Sequence, residues 1–251
     1  MPELDFSIIA NALIAGLLVT VLHVPLGKAV LARGIIFVDI AIAQIAGLGV
    51  LIAASLHLEQ FWLKQLVAVT FALAGAAFLS WSEKKWADIQ EAIIGSVFVL
   101  SAAAGLIVID SSSGSSEHLK NLLSGQIVFA DTTQLIITGI VYTVLLGIWF
   151  GAIKKRNALF YYLFAITVTL SVQLIGVYLV FASLIIPAIT MRFAKQDSLL
   201  VGYIISFGGY LSGLILTSLV DIPSGPAIIW CMLGLALIYL VVLKFYSKII
   251  H

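Results

Sequence analysis

Long apolar runs follow one another along the chain, and short polar connections separate them. Each run is continuous over about 20 residues, the length that an α-helix needs to cross a bilayer. The strands of a membrane barrel would instead alternate polar and apolar residues over about 10 positions. The pattern therefore predicts an all-α integral membrane protein with about eight transmembrane helices. The predicted spans are 7–26, 34–56, 61–82, 91–110, 134–153, 158–176, 199–220 and 226–247.

The composition supports this fold class and limits what the chain does. Of 251 residues, 62% are hydrophobic and 10% are charged, whereas soluble domains carry about 25% charged residues. The net charge of +1 indicates no nucleic-acid partner. The sequence has no readable catalytic motif and no large polar segment. We therefore expect a single transmembrane domain over residues 1–251, with any ATPase or ligand-binding domain on another chain.

Two connections are longer than the others, and they differ in character. Residues 111–133 begin with a Ser-rich polar stretch and become partly apolar. Residues 176–198 are apolar at first, are interrupted by Pro187 and end in an amphipathic stretch. The second connection is either a ninth span or an interfacial elbow that lies against other helices. Its length alone does not choose between the two.

Asp39 is the only charged residue in the apolar run 34–56. A carboxylate inside a bilayer is costly on most scales, so such residues usually face a polar cavity and mark a transport path. One interpretation is a ligand for a divalent cation. The other is a structural carboxylate, bonded to a neighbouring helix or to the membrane surface near Arg33. Gln44 lies in the same run and is either a second contact along the path or an amide bonded to a facing helix.

Weaker signals concern helix ends, packing and orientation. His23 stands beside Pro25, where the first apolar run ends. A histidine there could reach a cation, but a residue at an interfacial helix end is the commoner case and the favoured interpretation. Small residues cluster at 74–77, 102–105 and 202–213, where they allow helices to approach closely. Lys and Arg in the short connections give a small bias, which by itself would place both termini outside the cell.

Five stretches carry a family resemblance, and they occur in the family's order over almost the whole chain. They are Arg33 to Val50; Glu91-Ala-Ile-Ile-Gly; Leu119-Lys-Asn-Leu-Leu-Ser-Gly-Gln-Ile; Ser171 to Arg192, which includes Leu184-Ile-Ile-Pro-Ala; and Asp221-Ile-Pro-Ser-Gly-Pro-Ala-Ile. Together they resemble the permease subunit of the zinc/manganese-type ABC importers. The chain looks like a divergent branch of that family.

The resemblance implies an architecture and a set of partners. The fold is expected to be similar to that of the cobalamin and siderophore importer permeases, with eight spans and both termini in the cytoplasm. The chain is expected to lie in the bacterial cytoplasmic (inner) membrane, surrounded by membrane lipid, as a homodimer that forms the translocation path. A periplasmic metal-binding protein would deliver the cargo. Separate ABC ATPase subunits would hydrolyse ATP, so the chain itself is expected to be no enzyme and to bind no cofactor directly.

The resemblance also assigns a role to the segment that begins at Pro187. Residues 187–197 are expected to form a cytoplasmic coupling segment that docks on the ATPase. Its coupling residues are Pro187, Arg192, Phe193 and Lys195. This role determines the expected orientation against the small charge bias, because a coupling segment must face the side that holds ATP.

The chain departs from the family at the expected metal site. Family members usually carry an Asp followed by a His four residues later on the second helix, whereas Asp39 is followed by Ala43 and then Gln44. Five residues along a helix rotate a side chain by about 140°, so Gln44 does not simply replace the histidine. Asp39 and Gln44 are the predicted metal contacts, for a cation of the zinc, manganese and iron class. A lone carboxylate with carbonyl groups suits Mn²⁺ better than Zn²⁺.

A secondary transporter or channel is the main alternative, with Asp39 as a proton or cation relay. Such proteins commonly show internal repeats and several intramembrane charges, and the sequence shows neither. A membrane scaffold or an intramembrane enzyme is a third possibility. The enzyme would need paired catalytic groups at depth, and only Asp39 qualifies.

Overall fold

The computed structural model describes residues 6–56, 58, 60–110, 127, 131–152, 157–194, 199–220 and 222–249. In this part of the chain nine long α-helices follow one another, with a short 3₁₀ helix at Ala87–Ile89 between the third and the fourth. The helices are α1 (Phe6–Arg33), α2 (Val38–Ser55), α3 (Phe61–Lys85), α4 (Gln90–Asp110), α5 (Thr132–Ala152), α6 (Asn157–Ile175), α7 (Val177–Phe193), α8 (Leu199–Leu219) and α9 (Ser224–Ile249).

The apolar helices confirm the predicted all-α membrane class. Six of them are long and apolar enough to cross a membrane individually, and α6 and α7, separated by a break at Gly176, pass the same test as a pair. The described residues therefore give six or seven spans, against the eight predicted. Eight of the nine helices coincide with a predicted span, and all of these except α1 begin and end within four residues of the predicted bounds.

The chain forms two compact units, named unit 1 and unit 2. Unit 1 takes its described residues from segments 1–33, 124–140 and 174–251, so it holds α1, the start of α5, and α7 to α9. Unit 2 takes its described residues from 34–123 and 141–173, so it holds α2 to α4, the rest of α5 and most of α6.

Helix α1 is longer than predicted. The predicted end near residue 26 is wrong, because the helix continues through Pro25 to Arg33. Proline lacks an N–H, so the carbonyl of Val21, four residues earlier, loses its helical donor. The Tyr203 hydroxyl on α8 donates a hydrogen bond to this carbonyl over 3.4 Å. Gly34, with φ 70°, then ends the helix in the left-handed conformation that a glycine adopts without strain.

Glycines bring the helices of unit 1 into close contact. A Cβ atom on Gly27 would lie 2.0 Å from the carbonyl oxygen of Leu184, so α1 and α7 meet backbone to backbone. A Cβ on Gly213 would lie 2.4 Å from the Cα of Ile228, which places α8 equally close to α9. The cluster of small residues at 202–213 therefore serves the close packing that the sequence predicts.

The second long connection contains α7, a helix buried inside unit 1. Gly176 precedes it with φ 80° and ψ 160°, and α7 then packs against α1, α8 and α9. Pro187 lies within this helix and is buried. Of the two alternatives that the sequence leaves open, the interfacial elbow does not describe residues 177–191, because most of them are buried among neighbouring helices.

In unit 2, a buried amide fixes the start of α4. The Gln90 side chain donates to the Leu79 carbonyl over 3.0 Å and accepts a hydrogen bond from the Ser82 hydroxyl over 2.9 Å. It also donates to the hydroxyl of Tyr161 on α6 over 3.4 Å. These bonds join the first residue of α4 to the end of α3 and to Tyr161 of α6. The residue that follows Gln90 is therefore held in place as well.

Candidate functional site

Asp39 lies in the first turn of α2 and is only 1% exposed. Neither of its carboxylate oxygens accepts a hydrogen bond from the residues that the structure describes. The partial positive charge at the start of a helix favours an anion there. It does not replace the hydrogen bonds that a buried carboxylate loses on leaving water, which makes an unpartnered one costly. The arrangement is typical of a group kept for a ligand.

Glu91 lies beside this turn, in the first turn of α4. Its Oε1 accepts a hydrogen bond from the Phe37 N–H, which immediately precedes α2, over 3.3 Å. Its Oε2 is buried and has no hydrogen-bond partner among the described residues. The starts of α2 and α4 are therefore adjacent, with Glu91 bonded to the backbone two residues before Asp39.

Gln44 does not share the Asp39 side of α2. It is half-buried and lies five residues along the helix, which corresponds to a rotation of about 140°. Ala43, four residues after Asp39, follows it along the same face and is 2% exposed. A second ligand on this face, one helical turn after Asp39, would lie where the structure has the methyl group of Ala43. The role of Gln44 in metal binding stays a prediction.

Within the described residues no group of three or more His, Cys, Asp or Glu side chains is placed to hold a metal ion. Of the four histidines in the chain, only His23 lies within the described residues. A cation at Asp39 would thus need water or backbone oxygens, or ligands from elsewhere, to complete its coordination.

His23 corrects one interpretation from the sequence. It lies well inside α1 and is fully buried, so it is not at an interfacial helix end. Its Nδ1 is 2.6 Å from the hydroxyl oxygen of Ser183 on α7. One turn earlier on α1, the Thr20 and Ser206 hydroxyls lie 2.9 Å apart, which joins α1 to α8. These two polar contacts tie α1, α7 and α8 together inside unit 1.

The predicted coupling residues fall into two environments. Pro187 is buried in α7, whereas Arg192 and Phe193 are exposed at the end of the same helix, with Phe193 71% exposed. Lys195 lies outside the described residues. The structure thus connects an exposed charged and aromatic end to a buried helical stem.

Sequence comparisons identify relatives along the whole chain. A model of the ABC 3 transport family matches residues 5–159 and 152–244. The high-affinity zinc uptake system membrane protein ZnuB of Haemophilus influenzae is 26% identical over 249 residues, covering 90% of this chain and 94% of the relative. The manganese import system permease protein ScaB of Streptococcus gordonii is 26% identical over 260 residues, covering 94% and 91%.

Solved structures share the fold. PsaBC from Streptococcus pneumoniae, in complex with Fab, superposes with a TM-score of 0.73 at 24% identity, covering 93% of this chain and 91% of that one. A protein described as a metal-chelate type ABC transporter, in an inward-facing conformation, gives a TM-score of 0.69 at 16% identity, covering 94% and 85%. At these identities the likeness concerns the fold.

The comparisons confirm three predictions from the sequence. The resemblance to zinc/manganese-type ABC permeases is confirmed by the family match and by the relatives named above. The all-α permease fold is confirmed by the two solved structures. The family match and the apolar helices together confirm a multi-pass protein of the bacterial inner membrane.

Proposed function

Because the chain belongs to the ABC 3 transport family, we propose that it is the permease subunit of an ATP-driven importer for a divalent metal cation. The cargo is of the zinc, manganese and iron class, in line with the zinc and manganese relatives. The observation that carries the proposal is the Asp39 carboxylate, which is 1% exposed and has no hydrogen-bond partner among the described residues. A cation passing along the start of α2 would supply the missing partner.

Transport requires a larger assembly than this chain. Two copies form the path as a homodimer, a periplasmic binding protein delivers the cation, and two ATPase subunits bind and hydrolyse ATP. The permease supplies the path and binds no nucleotide itself. The cation must bind differently in the outward-open and inward-open states, because a ligand shifts an equilibrium only by its differential affinity.

Helix α7 is the proposed link between ATP hydrolysis and the path. Its exposed end, Arg192 and Phe193, would meet the ATPase together with Lys195. Its buried stem contacts α1 at Gly27 and through Ser183, which is hydrogen-bonded to His23. Because these contacts are tight, a displacement of the exposed end would move α1 with it.

The test is cation uptake by the complete transporter carrying Asp39→Asn. Vesicles containing the chain, its ATPase and its binding protein are supplied with ATP and with radioactive Mn²⁺ or Zn²⁺. We expect uptake of the transported cation to fall at least about tenfold, since loss of even an indirect metal contact costs about 10- to 100-fold in affinity.

Asp88→Asn is the matched control, because Asp88 is exposed in the 3₁₀ helix before α4 and loses the same charge. Normal uptake by Asp39→Asn, at wild-type amounts in the membrane, would contradict the proposed path. Uptake that persists without ATPase and ATP would identify a secondary transporter or channel instead.

A further inference from the structure

Two carboxylates from different helices lie near the start of α2. Asp39 comes from α2 and Glu91 from α4, and the bond between the Phe37 N–H and Glu91 Oε1 holds the two helix starts together. Three oxygens of this pair, both of Asp39 and Oε2 of Glu91, are buried and accept no hydrogen bond within the described residues. Buried acceptors without a hydrogen-bond partner favour a positively charged ligand beside them.

The position of Glu91 is fixed by the neighbouring residue. Gln90 is 4% exposed and is hydrogen-bonded to Ser82, to the Leu79 carbonyl and to Tyr161. The Glu91 backbone is held by its neighbour Gln90, and Oε1 is held by the Phe37 N–H. The remaining Oε2 therefore has little conformational freedom. A preorganised ligand loses less conformational entropy when it binds.

We propose that Glu91 is a second oxygen donor to the cargo cation, and that with Asp39 it forms a carboxylate pair selective for an oxygen-preferring cation such as Mn²⁺. The inference rests on the proposed function and makes its cargo more specific. Carboxylate, carbonyl and water oxygens suit Mn²⁺, whereas Zn²⁺ is bound in most protein sites with nitrogen or sulfur ligands. The buried methyl group of Ala43 leaves the Asp39 face of α2 without such a ligand one turn later.

A purely structural role for Glu91 makes a different prediction. As a cap for α2, the residue needs only an oxygen that accepts the Phe37 N–H, and the carbonyl of a glutamine provides one. Glu91→Gln would then behave like the wild type. As a cation ligand, the residue needs its negative charge and its second oxygen, both of which the same substitution removes or weakens.

The experiment titrates Mn²⁺ against the full chain purified with its ATPase in lipid nanodiscs. Free Mn²⁺ is followed by its electron paramagnetic resonance signal, and Zn²⁺ is added as a competitor. We expect Glu91→Gln to weaken Mn²⁺ binding at least about tenfold, with Asp88→Asn unchanged. The double variant with Asp39→Asn should lose little more than either single variant, because two ligands of one ion act as a unit. Glu91→His should bind Zn²⁺ more strongly relative to Mn²⁺.

The outcomes separate this inference from the proposed function. Loss of Mn²⁺ binding in Asp39→Asn with wild-type binding in Glu91→Gln would show that Glu91 only caps α2, and would overturn the carboxylate pair while leaving the path at Asp39. A Zn²⁺ preference that does not respond to Glu91→His would equally overturn the selectivity. If neither binding nor uptake changes in Asp39→Asn, the proposed path itself fails.

Discussion

Two pairs of buried polar groups join helices in unit 1, whereas in unit 2 the Asp39 carboxylate and Oε2 of Glu91 accept no hydrogen bond within the described residues. In unit 1 the hydroxyls of Thr20 and Ser206 lie 2.9 Å apart, and His23 meets Ser183 at 2.6 Å. In unit 2 the Asp39 carboxylate is just as deeply buried, yet it accepts no hydrogen bond from the described residues. Unit 2 does pair other polar groups: Tyr142, for example, donates to the Thr167 carbonyl over 3.1 Å and also contacts the Ser171 hydroxyl.

The difference separates two uses of polarity inside an apolar protein. Paired groups join helices and stabilise the fold, because each satisfies the other away from water. Unpaired carboxylates lower stability and are kept where a function needs them. Substitutions at the unit 1 contacts should therefore change stability first. Substitutions at Asp39 should change transport first.

The largest effect on stability is expected from Gly27→Ala. Its new methyl group would meet the Leu184 carbonyl oxygen at 2.0 Å, a backbone atom that a rotamer change cannot move. We expect a loss of about 3 kcal/mol in the free energy of unfolding, measured by denaturant titration in detergent micelles. Gly95→Ala is the control, since among the described residues no atom outside its own stretch of helix lies within 4 Å of the corresponding position. Equal stability of the two variants would show that α1 and α7 do not depend on this close approach.

A smaller effect is expected from the Thr20 and Ser206 pair. Thr20→Val removes one hydroxyl and leaves the Ser206 oxygen without it, which should cost about 1 kcal/mol. The double variant Thr20→Val/Ser206→Ala removes both polar groups and should recover most of that loss. The free energies of unfolding of the wild type, of Thr20→Val, of Ser206→Ala and of the double variant together give the coupling energy between the two hydroxyls. Additive losses in the double variant would mean that the contact does not stabilise unit 1.

Asp39→Asn should shift stability slightly in the opposite direction. The substitution replaces a buried carboxylate that accepts no hydrogen bond within the described residues, so we expect a gain of about 1 kcal/mol or less in the free energy of unfolding. Uptake should be lost in the same protein. A clear fall in stability would instead assign Asp39 to the structural role that the sequence analysis left open.

The smallest effect on stability is expected at the exposed end of α7. Phe193→Ala and Tyr178→Ala both remove an exposed aromatic ring from α7, at opposite ends, and each should change the free energy of unfolding by less than about 0.5 kcal/mol. Only Phe193→Ala is expected to reduce ATP-driven uptake, because only that end is proposed to meet the ATPase. Equal uptake by both variants would remove Phe193 from the coupling surface.

Most helix bounds were predictable, because an apolar run of about 20 residues has few alternatives in a membrane. The exception, α1, shows where sequence reasoning fails. Pro25 removes a backbone donor, which favours a helix end, but Tyr203 from α8 donates to the Val21 carbonyl that the proline leaves without its helical partner. A tertiary contact of this kind leaves no local trace in the sequence. The burial of Pro187 depends on the packing of α7 against α1, α8 and α9, which the local sequence does not show.

The candidate site was predictable only in part. Asp39 was recognisable from the chain alone, since a lone charge in an apolar run is conspicuous. Glu91 was missed as a candidate ligand, because it lies at the polar margin of a span, where acidic residues are common. Only the packing of α4 beside α2 brings it to Asp39. The acidic residue that opens the Glu91-Ala-Ile-Ile-Gly stretch was the one available signal.

Gly176 places a constraint on how this gene can change. Its backbone angles, φ 80° and ψ 160°, belong to a region that is essentially reserved for glycine, and any side chain there costs about 1–3 kcal/mol. Every missense change at this codon therefore carries the same penalty, whatever the chemical nature of the new residue. In a library of all substitutions, position 176 should tolerate no other residue as well as glycine, whereas Ile175 and Val177 should tolerate apolar residues of similar volume. Selection should therefore keep glycine at position 176 more strictly than it keeps any single residue within α6 or α7.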